Sequence, residues 1–260
     1  MNSTELISVV LPVFNGEQFL LDAVQSILIQ SYANIELIII DDCSIDGTNE
    51  ILNSLNDPRV ILLRNSKNLG IATSLNIGIL HSRGDYIARM DADDISLPHR
   101  LATQLNYLQT HNNCDLVSSS CIIFDDDGLY AKIRTKLLHD DICRLPWLGF
   151  YCPHPTWMMR SEWAKSHLYD QDASGAEDQL LLYKNYTHSN YSSISQPLLL
   201  YRISPNTPYK KIIFRRILLA KLFIKTAYHG NKYSHIPLII VSLFARLILD
   251  VIQKIKKSSL

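Results

Sequence analysis

The chain has 260 residues, 47% of them hydrophobic, and its 25 Lys/Arg balance 25 Asp/Glu. That size and apolar content predict one α/β domain with an appendage and exclude a disordered chain. Five scattered cysteines without a C-x-x-C pair argue against a disulfide framework or a zinc site, and suit a reducing cytosol.

Residues 7–13 (ISVVLPV) form a continuous apolar, β-branched run, the pattern of a strand buried on both faces. Asn15-Gly16 is a turn, and residues 17–30 then place Leu20, Val24, Ile27 and Leu28 on one helical face. Residues 36–41 give a second buried strand ending in Asp41-Asp42. Ser44 to Thr48 reads as a turn, and Ile51, Leu52 and Leu55 mark the next helix. A third strand is expected at 59–63, a loop from Asn65 to Gly70, and a helix through Leu75 and Ile79. Gly84 breaks that helix before a fourth strand at 86–90. Pro98 suits the first turn of a helix through Leu101, Leu105 and Leu108. Four strand–helix alternations mean βαβ units and a mostly parallel sheet covered by helices.

Beyond residue 115 the pattern is less regular. Residues 115–124 read as a strand or hairpin arm ending at Asp125-Asp126-Asp127-Gly128, a solvated turn rather than a metal cluster. The stretch 140–160 is aromatic and Pro-rich, 176–188 reads as helical and 193–202 as extended. Ser204-Pro205-Asn206-Thr207-Pro208 is the candidate boundary, giving units 1–205 and 206–260.

The chemistry concentrates at Asp91-Ala92-Asp93-Asp94, directly after the apolar run Tyr86–Met90. Three carboxylates at the end of a buried strand are costly without a counter-charge. Mg²⁺ is commonly held by one or two carboxylates together with substrate phosphates. In open α/β sheets ligands bind beyond the C-terminal strand ends, here Asn15 to Glu17, Asp41-Asp42 and Asp91 to Asp94. No G-x-G-x-x-G or G-x-x-x-x-G-K-[ST] is present, so phosphate charge has to be met by a cation.

Five blocks, 7–17 (ISVVLPVFNGE), 36–48 (ELIIIDDCSIDGT), 67–76 (KNLGIATSLN), 84–100 (GDYIARMDADDISLPHR) and 177–178 (ED), together resemble glycosyltransferase family 2 over about residues 6–202. The resemblance implies a GT-A type, Rossmann-like fold and transfer of a sugar from a nucleotide diphosphate to an acceptor hydroxyl with inversion. Carried over by residue, it implies donor contacts from Pro12, Val13, Asn15, Glu17, Asp41, Asp42, Lys67, Asn68, Gly70, Asp91, Ala92 and Asp93. Asp93, with Asp91, would bind Mn²⁺ or Mg²⁺, and Asp94 is a further contact. Asp178 matches the general base, with Glu177 beside it. His154, Trp157 and Glu177 are acceptor-side candidates, and Arg202 is one for the diphosphate. Each has a plainer reading: Asp41-Asp42 as a helix cap, Glu177-Asp178 as first-turn acids, the aromatic residues as core. Cys43 stands where the family often has Gly or Ala. Q-x-x-R-W, the mark of processive synthases, is absent, which implies single-sugar transfer. Other classes open at this point are a catalytically silent nucleotide-sugar-binding scaffold and a nucleotidyltransferase.

The charge is unevenly spread. After Arg202 there are eleven Lys/Arg and one acid, Asp250. Residues 213, 217, 220 and 224 form one apolar face, and 236–252 is apolar except for Arg246 and Asp250, spaced to pair at i,i+4. A basic amphipathic segment lying on an anionic membrane through residues 210–257 is the favoured reading. Packing on the domain, a membrane span and an oligomer contact are the alternatives. Membrane binding would suit a sugar or lipid-linked saccharide acceptor and bacterial surface-polysaccharide or glycolipid assembly. The N-terminus lacks a basic n-region, so a cytoplasmic protein, peripheral on the inner membrane, is expected. Nucleic acid is not an expected partner, because the tail lacks interleaved aromatic stacking residues.

Overall fold

The computed structural model describes residues 4–125, 128–203 and 208–258. The chain begins β1 (Ile7–Val13), α1 (Leu20–Leu28), β2 (Ile35–Asp41), α2 (Thr48–Ser54), β3 (Val60–Arg64), α3 (Ile71–His81) and β4 (Tyr86–Arg89). It continues β5 (Ile95–Ser96), α4 (Arg100–Thr110), β6 (Leu116–Asp125), β7 (Gly128–Ile133), α5 (His139–Ile142), β8 (Met158–Arg160) and α6 (Ser161–Ser166). Last come α7 (Glu177–Asn185), β9 (Tyr191–Arg202), α8 (Tyr209–His229) and α9 (His235–Ser258).

One sheet runs β3-β2-β1-β4-β8-β6-β9-β5, with β7 paired to β6. β1 lies between β2 and β4, parallel to both, and β2 is parallel to β3. Side chains on these strands alternate between two cores, as a period of two requires. Val9 and Leu11 pack on one face with Val24 and Leu101, whereas Val10, Ile38 and Ile40 pack on the other with Leu75 and Ile79. At Gly78 the helix rests directly on the sheet: a Cβ there would lie 2.4 Å from Val10 Cγ1.

The α/β fold is the expected one, and its first four strands are parallel. Beyond β4 the sheet is mixed. β8 pairs antiparallel with β4 and β6, β6 and β9 are parallel, and β5 is antiparallel to β9. β8 and β5 are too short to carry a periodic signal. Pro98 stands one residue before the His99 N-cap of α4 rather than inside its first turn. Asp125 closes the β6–β7 hairpin opposite Gly128, while Asp126 and Asp127 lie outside the described residues. So do Ser204 to Thr207 of the expected boundary.

The basic tail forms a helical hairpin packed on the domain. Phe223 of α8 stacks on Tyr183 of α7 at 4.1 Å, and Tyr183 Oη lies 2.9 Å from His235 Nδ1. Asp250 pairs with Arg216 of α8 through two contacts rather than with Arg246, whose guanidinium donates to the Leu148 carbonyl. The i,i+4 pairing is thus replaced by cross-helix contacts. The opposite face of α9 stays apolar and open, with Val241, Phe244 and Ile248 each about 60–66% exposed. No helix among the described residues is long and apolar enough to cross a membrane.

Because Phe223 is buried and stacks on Tyr183 of α7, Phe223→Ala should cost about 3–4 kcal/mol. Hydrogen exchange should speed up in α8 and α9 while β1, β2 and β4 keep their protection.

Candidate active site

The site begins where β4 ends. Asp91, Asp93 and Asp94 bring carboxylate oxygens within 4.8 Å of one another. Asp91 pairs with the Arg89 guanidinium. Asp94 is fully buried: its Oδ1 accepts the Arg202 N–H at 2.8 Å, and its Oδ2 has no hydrogen-bond partner among the described residues. Burial and the neighbouring Asp91 and Asp93 charges push the Asp94 carboxyl far above the ordinary carboxylate range. Lost hydration, then the Asp91 charge, lifts Asp93 to about 6. Crowded carboxylates with raised pKa values and an orphaned buried oxygen fit a hard divalent cation.

Two loops border this strand end. Glu17 Oε2 accepts the Gly47 N–H at 2.6 Å, and Asn15 Oδ1 accepts the Ile45 N–H at 3.0 Å. Asp46 in turn accepts the Glu17 and Thr48 N–H groups. Asp42 is buried and accepts from Asn65 Nδ2 (2.7 Å), Leu69 N–H (2.8 Å) and Gly70 N–H (2.8 Å). Gly70, at φ 83°, starts α3. Between the loops lies a small pocket of about 120 Å³ lined by Pro12, Val13, Phe14, Asp42, Ile71 and Ser74.

Ile71 also lines a larger cleft of about 470 Å³ that holds Arg89, Asp91, His154, Glu177 and Asp178. Asp178 stands at the start of α7, where its Oδ2 accepts from Gln179 Nε2 at 3.2 Å. The same Gln179 accepts the Phe150 N–H at 2.8 Å and so ties α7 to the cleft wall. Burial raises the Asp178 carboxyl, outweighing the Gln179 hydrogen bonds and the Arg89 charge that lower it. Glu177 is buried and raised in the same way, burial first and the Asp178 charge second, and its Oε2 accepts the Gly175 N–H at 2.5 Å. His154 Nε2 lies 2.7 Å from Tyr169 Oη, and Tyr169 is fixed by two hydrogen bonds to Asn76. Burial, then the Arg89 charge, pushes the His154 pKa well below its usual value, so the ring is neutral.

The sequence model for "Glycosyl transferase family 2" matches residues 8–168 of this chain. The chain belongs to glycosyltransferase family 2. A Haemophilus influenzae protein described as an uncharacterized glycosyltransferase is 34% identical over 193 residues, covering 68% of this chain and 59% of that protein. The chain spans about half the length of the curated relatives it matches. Among solved structures, S. aureus TarS 1-349 in complex with UDP-GlcNAc superposes with a TM-score of 0.65 at 18% identity, covering 86% of this chain and 72% of that one. The mannosyltransferase PcManGT from Pyrobaculum calidifontis, in complex with GDP-Man and Mn²⁺, gives 0.65 at 17%, covering 99% and 81%. Both share the fold.

Measured against the family reading, Pro12, Val13 and Asp42 line the small pocket, while Asp91, His154, Glu177 and Asp178 share the cleft. Asn15 and Glu17 line neither; the N–H groups of the neighbouring loop occupy their side-chain oxygens. Asp41 is also withdrawn: its Oδ1 accepts the Ser44 N–H at 2.9 Å and its Oδ2 faces Arg64 Nε at 3.3 Å. Lys67 and Asn68 are exposed on the loop that Asp42 holds, and Ala92 is half-buried under the acids. Trp157 is corrected: it is fully buried, and its indole N–H donates to the Cys152 carbonyl at 3.1 Å. It packs edge-on beneath His154 instead of meeting a ligand. Arg202 lies between the Phe19 and Phe124 rings, with Nε donating to the Asp93 carbonyl at 3.0 Å. Cys43 adopts φ 65°, a conformation that favours glycine, which gives the family's small residue there a backbone reason. Phe14, Ile71 and Ser74 also line the small pocket, Ile71 and Arg89 the cleft, and none of the four is among the residues the sequence singles out.

A carboxyl raised by its surroundings costs stability once ionised, and the loss grows as pH rises above the ordinary carboxyl range. Asp94→Asn should therefore raise the melting temperature of metal-free protein at pH 8 by a few degrees, since about 1 kcal/mol moves it by about 2–4 °C at this size. If the acid cluster binds Mn²⁺, the ion should raise the melting temperature of the parent and the same variant should lose most of that shift.

Proposed function

We propose that the protein moves a single sugar from a nucleotide-diphosphate donor, a UDP-sugar first among candidates, to an acceptor hydroxyl with inversion. The observation that carries this reading is one cleft holding both Asp91 and Asp178, the second with its carboxyl raised by burial. The small pocket suits a nucleobase, with the exposed Phe14 ring as a stacking face and Asp42 as a polar edge. Asp91, Asp93 and Asp94 would hold Mn²⁺ or Mg²⁺, which when bound supplies positive charge for the departing diphosphate.

The remaining chemistry belongs to the chain. Asp178 takes the proton of the attacking acceptor hydroxyl. Its raised pKa makes the ionised form a stronger base than an exposed carboxylate. Gln179 fixes its orientation from the neighbouring position. Direct attack opposite the leaving group needs no second carboxylate as nucleophile. Neutral His154, held by Tyr169, offers an uncharged hydrogen-bonding contact to the acceptor.

The same proposal places the protein on an anionic membrane surface through residues 210–257, in bacterial surface-polysaccharide or glycolipid assembly. The open apolar face of α9, together with the exposed Lys221 and Lys225 of α8, supports it.

Asp178→Asn should lower transfer by about 10²–10⁴-fold while nucleotide-sugar binding, followed by thermal shift, stays at the parent level. The base acts ionised, so activity should fall with decreasing pH along a limb above the usual carboxyl pKa of about 3.9. Parent-level turnover in the variant, measured as nucleoside diphosphate released, would refute the base assignment. Sedimentation with anionic vesicles should carry the protein down, and Phe244→Glu should return it to the supernatant.

A further inference from the structure

Arg89 is anomalous for a core residue. It is 3% exposed, and its Nη2 pairs with Asp91. Its Nε and Nη1 have no hydrogen-bond partner among the described residues, yet the side chain lines the cleft. Buried cationic donors without a partner are expensive, so this guanidinium is built to receive one.

A second arginine reaches the same cleft from α8. Arg215 lines it beside Gly175, Glu177 and Asp178. It lies so close over the loop that a Cβ on Gly175 would meet its Nε at 3.4 Å and its Cγ at 3.5 Å. Gly175 also has φ 90°, so a glycine suits both the backbone turn and the close approach. Arg215 makes no ion pair or hydrogen bond with another described residue. Past Phe150 and Tyr151 the cleft opens into a further space of about 390 Å³ bordered by Arg216 and Arg246.

We infer that Arg89 and Arg215 form an anion subsite on the acceptor side of the cleft, so the acceptor carries a phosphate or carboxylate close to the hydroxyl that is glycosylated. The inference rests on the glycosyl-transfer reading above. Guanidinium forks match both anions, which they can bind through two parallel hydrogen bonds. The acceptor side is indicated because Arg215 shares its wall with Asp178, whereas Asp93 does not line this cleft. Arg215 lies outside residues 8–168, the part that matches the family model, whereas Arg89 lies inside it, so the subsite joins a strand of the matched region to a C-terminal helix.

Calorimetry on the full chain tests this. UDP with Mn²⁺ is titrated first; failure to bind refutes the nucleotide-sugar reading and leaves the anion titration as a separate result. Glycerol 1-phosphate and methyl glucuronoside are then titrated into the UDP-loaded protein, with methyl glucoside as the neutral control. The expected result is saturable binding of at least one anion, weakened fivefold or more by Arg215→Gln and by Arg89→Lys, with UDP affinity unchanged in Arg215→Gln. Which probe binds separates a phosphorylated acceptor from a uronate. The inference is overturned if neither anion binds, if either variant binds it as tightly as the parent, or if the anions compete with UDP and so occupy the donor's place.

Discussion

The fold is organised around an electrostatic problem at the end of β4. Three carboxylates within one turn, one of them fully buried, lie close to two arginines that are themselves inside the protein. Arg100, also fully buried, donates from Nη2 to the Arg89 carbonyl at 2.5 Å and from Nη1 to Met90 Sδ at 3.4 Å. Loss of hydration pulls its pKa down to about 9, opposed first by the charge of Asp94. It stays protonated at neutral pH and supplies fixed positive charge from beneath.

That requirement explains the second half of the sheet. The Arg202 N–H can reach Asp94 only because β9 runs beside β6, and β5, just after the acids, pairs Ile95 with Leu200. The antiparallel β8 sets the Trp157 carbonyl where the Arg89 N–H donates to it at 2.9 Å. On the other side, β1 is the point where strand order reverses, with β2 on one flank and β4 on the other. The loops leaving β1 and β2 therefore diverge around a crevice, and Asn15, Glu17, Asp42 and Asp46 bind those loops in place.

Much of this was legible in the sequence, for identifiable reasons. Strands buried on both faces read as unbroken apolar runs, so β1 to β4 stand out, and the acid run after Met90 is conspicuous because burying it is unfavourable. What stayed hidden was non-local. Arg89 sits inside the run Tyr86–Met90 and looks like an ordinary strand position; only the folded cleft shows that two of its donors have no partner among the described residues. The resemblance implies donor contacts from Asn15, Glu17 and Asp41, but the Asn15 and Glu17 side chains accept N–H groups from the loop after β2, and Asp41 accepts the Ser44 N–H of its own loop. Arg215 is one of eleven basic residues in the tail, and nothing in its neighbours marks it. β8 and β5 have too few residues for a period to be detected.

The C-terminal hairpin connects these levels. Its inner face is anchored by Phe223 on Tyr183 and by the Arg216–Asp250 pair, which holds α8 against α9. The same anchoring brings Arg215 to the wall that carries Asp178, while Ser242 and Arg246 of α9 grip the carbonyls of Trp147 and Leu148 at the cleft's far border. Tyr151, 62% exposed, lies between the cleft and the space that borders Arg246. A hairpin that served only as a surface anchor would not need to contribute a side chain to the reacting cleft. One that only completed the cleft would not leave Val241, Phe244 and Ile248 open to solvent. If the membrane and acceptor proposals both hold, these two features of the same two helices would tie surface contact and acceptor choice to one packing arrangement. Loosening that packing should therefore change both together.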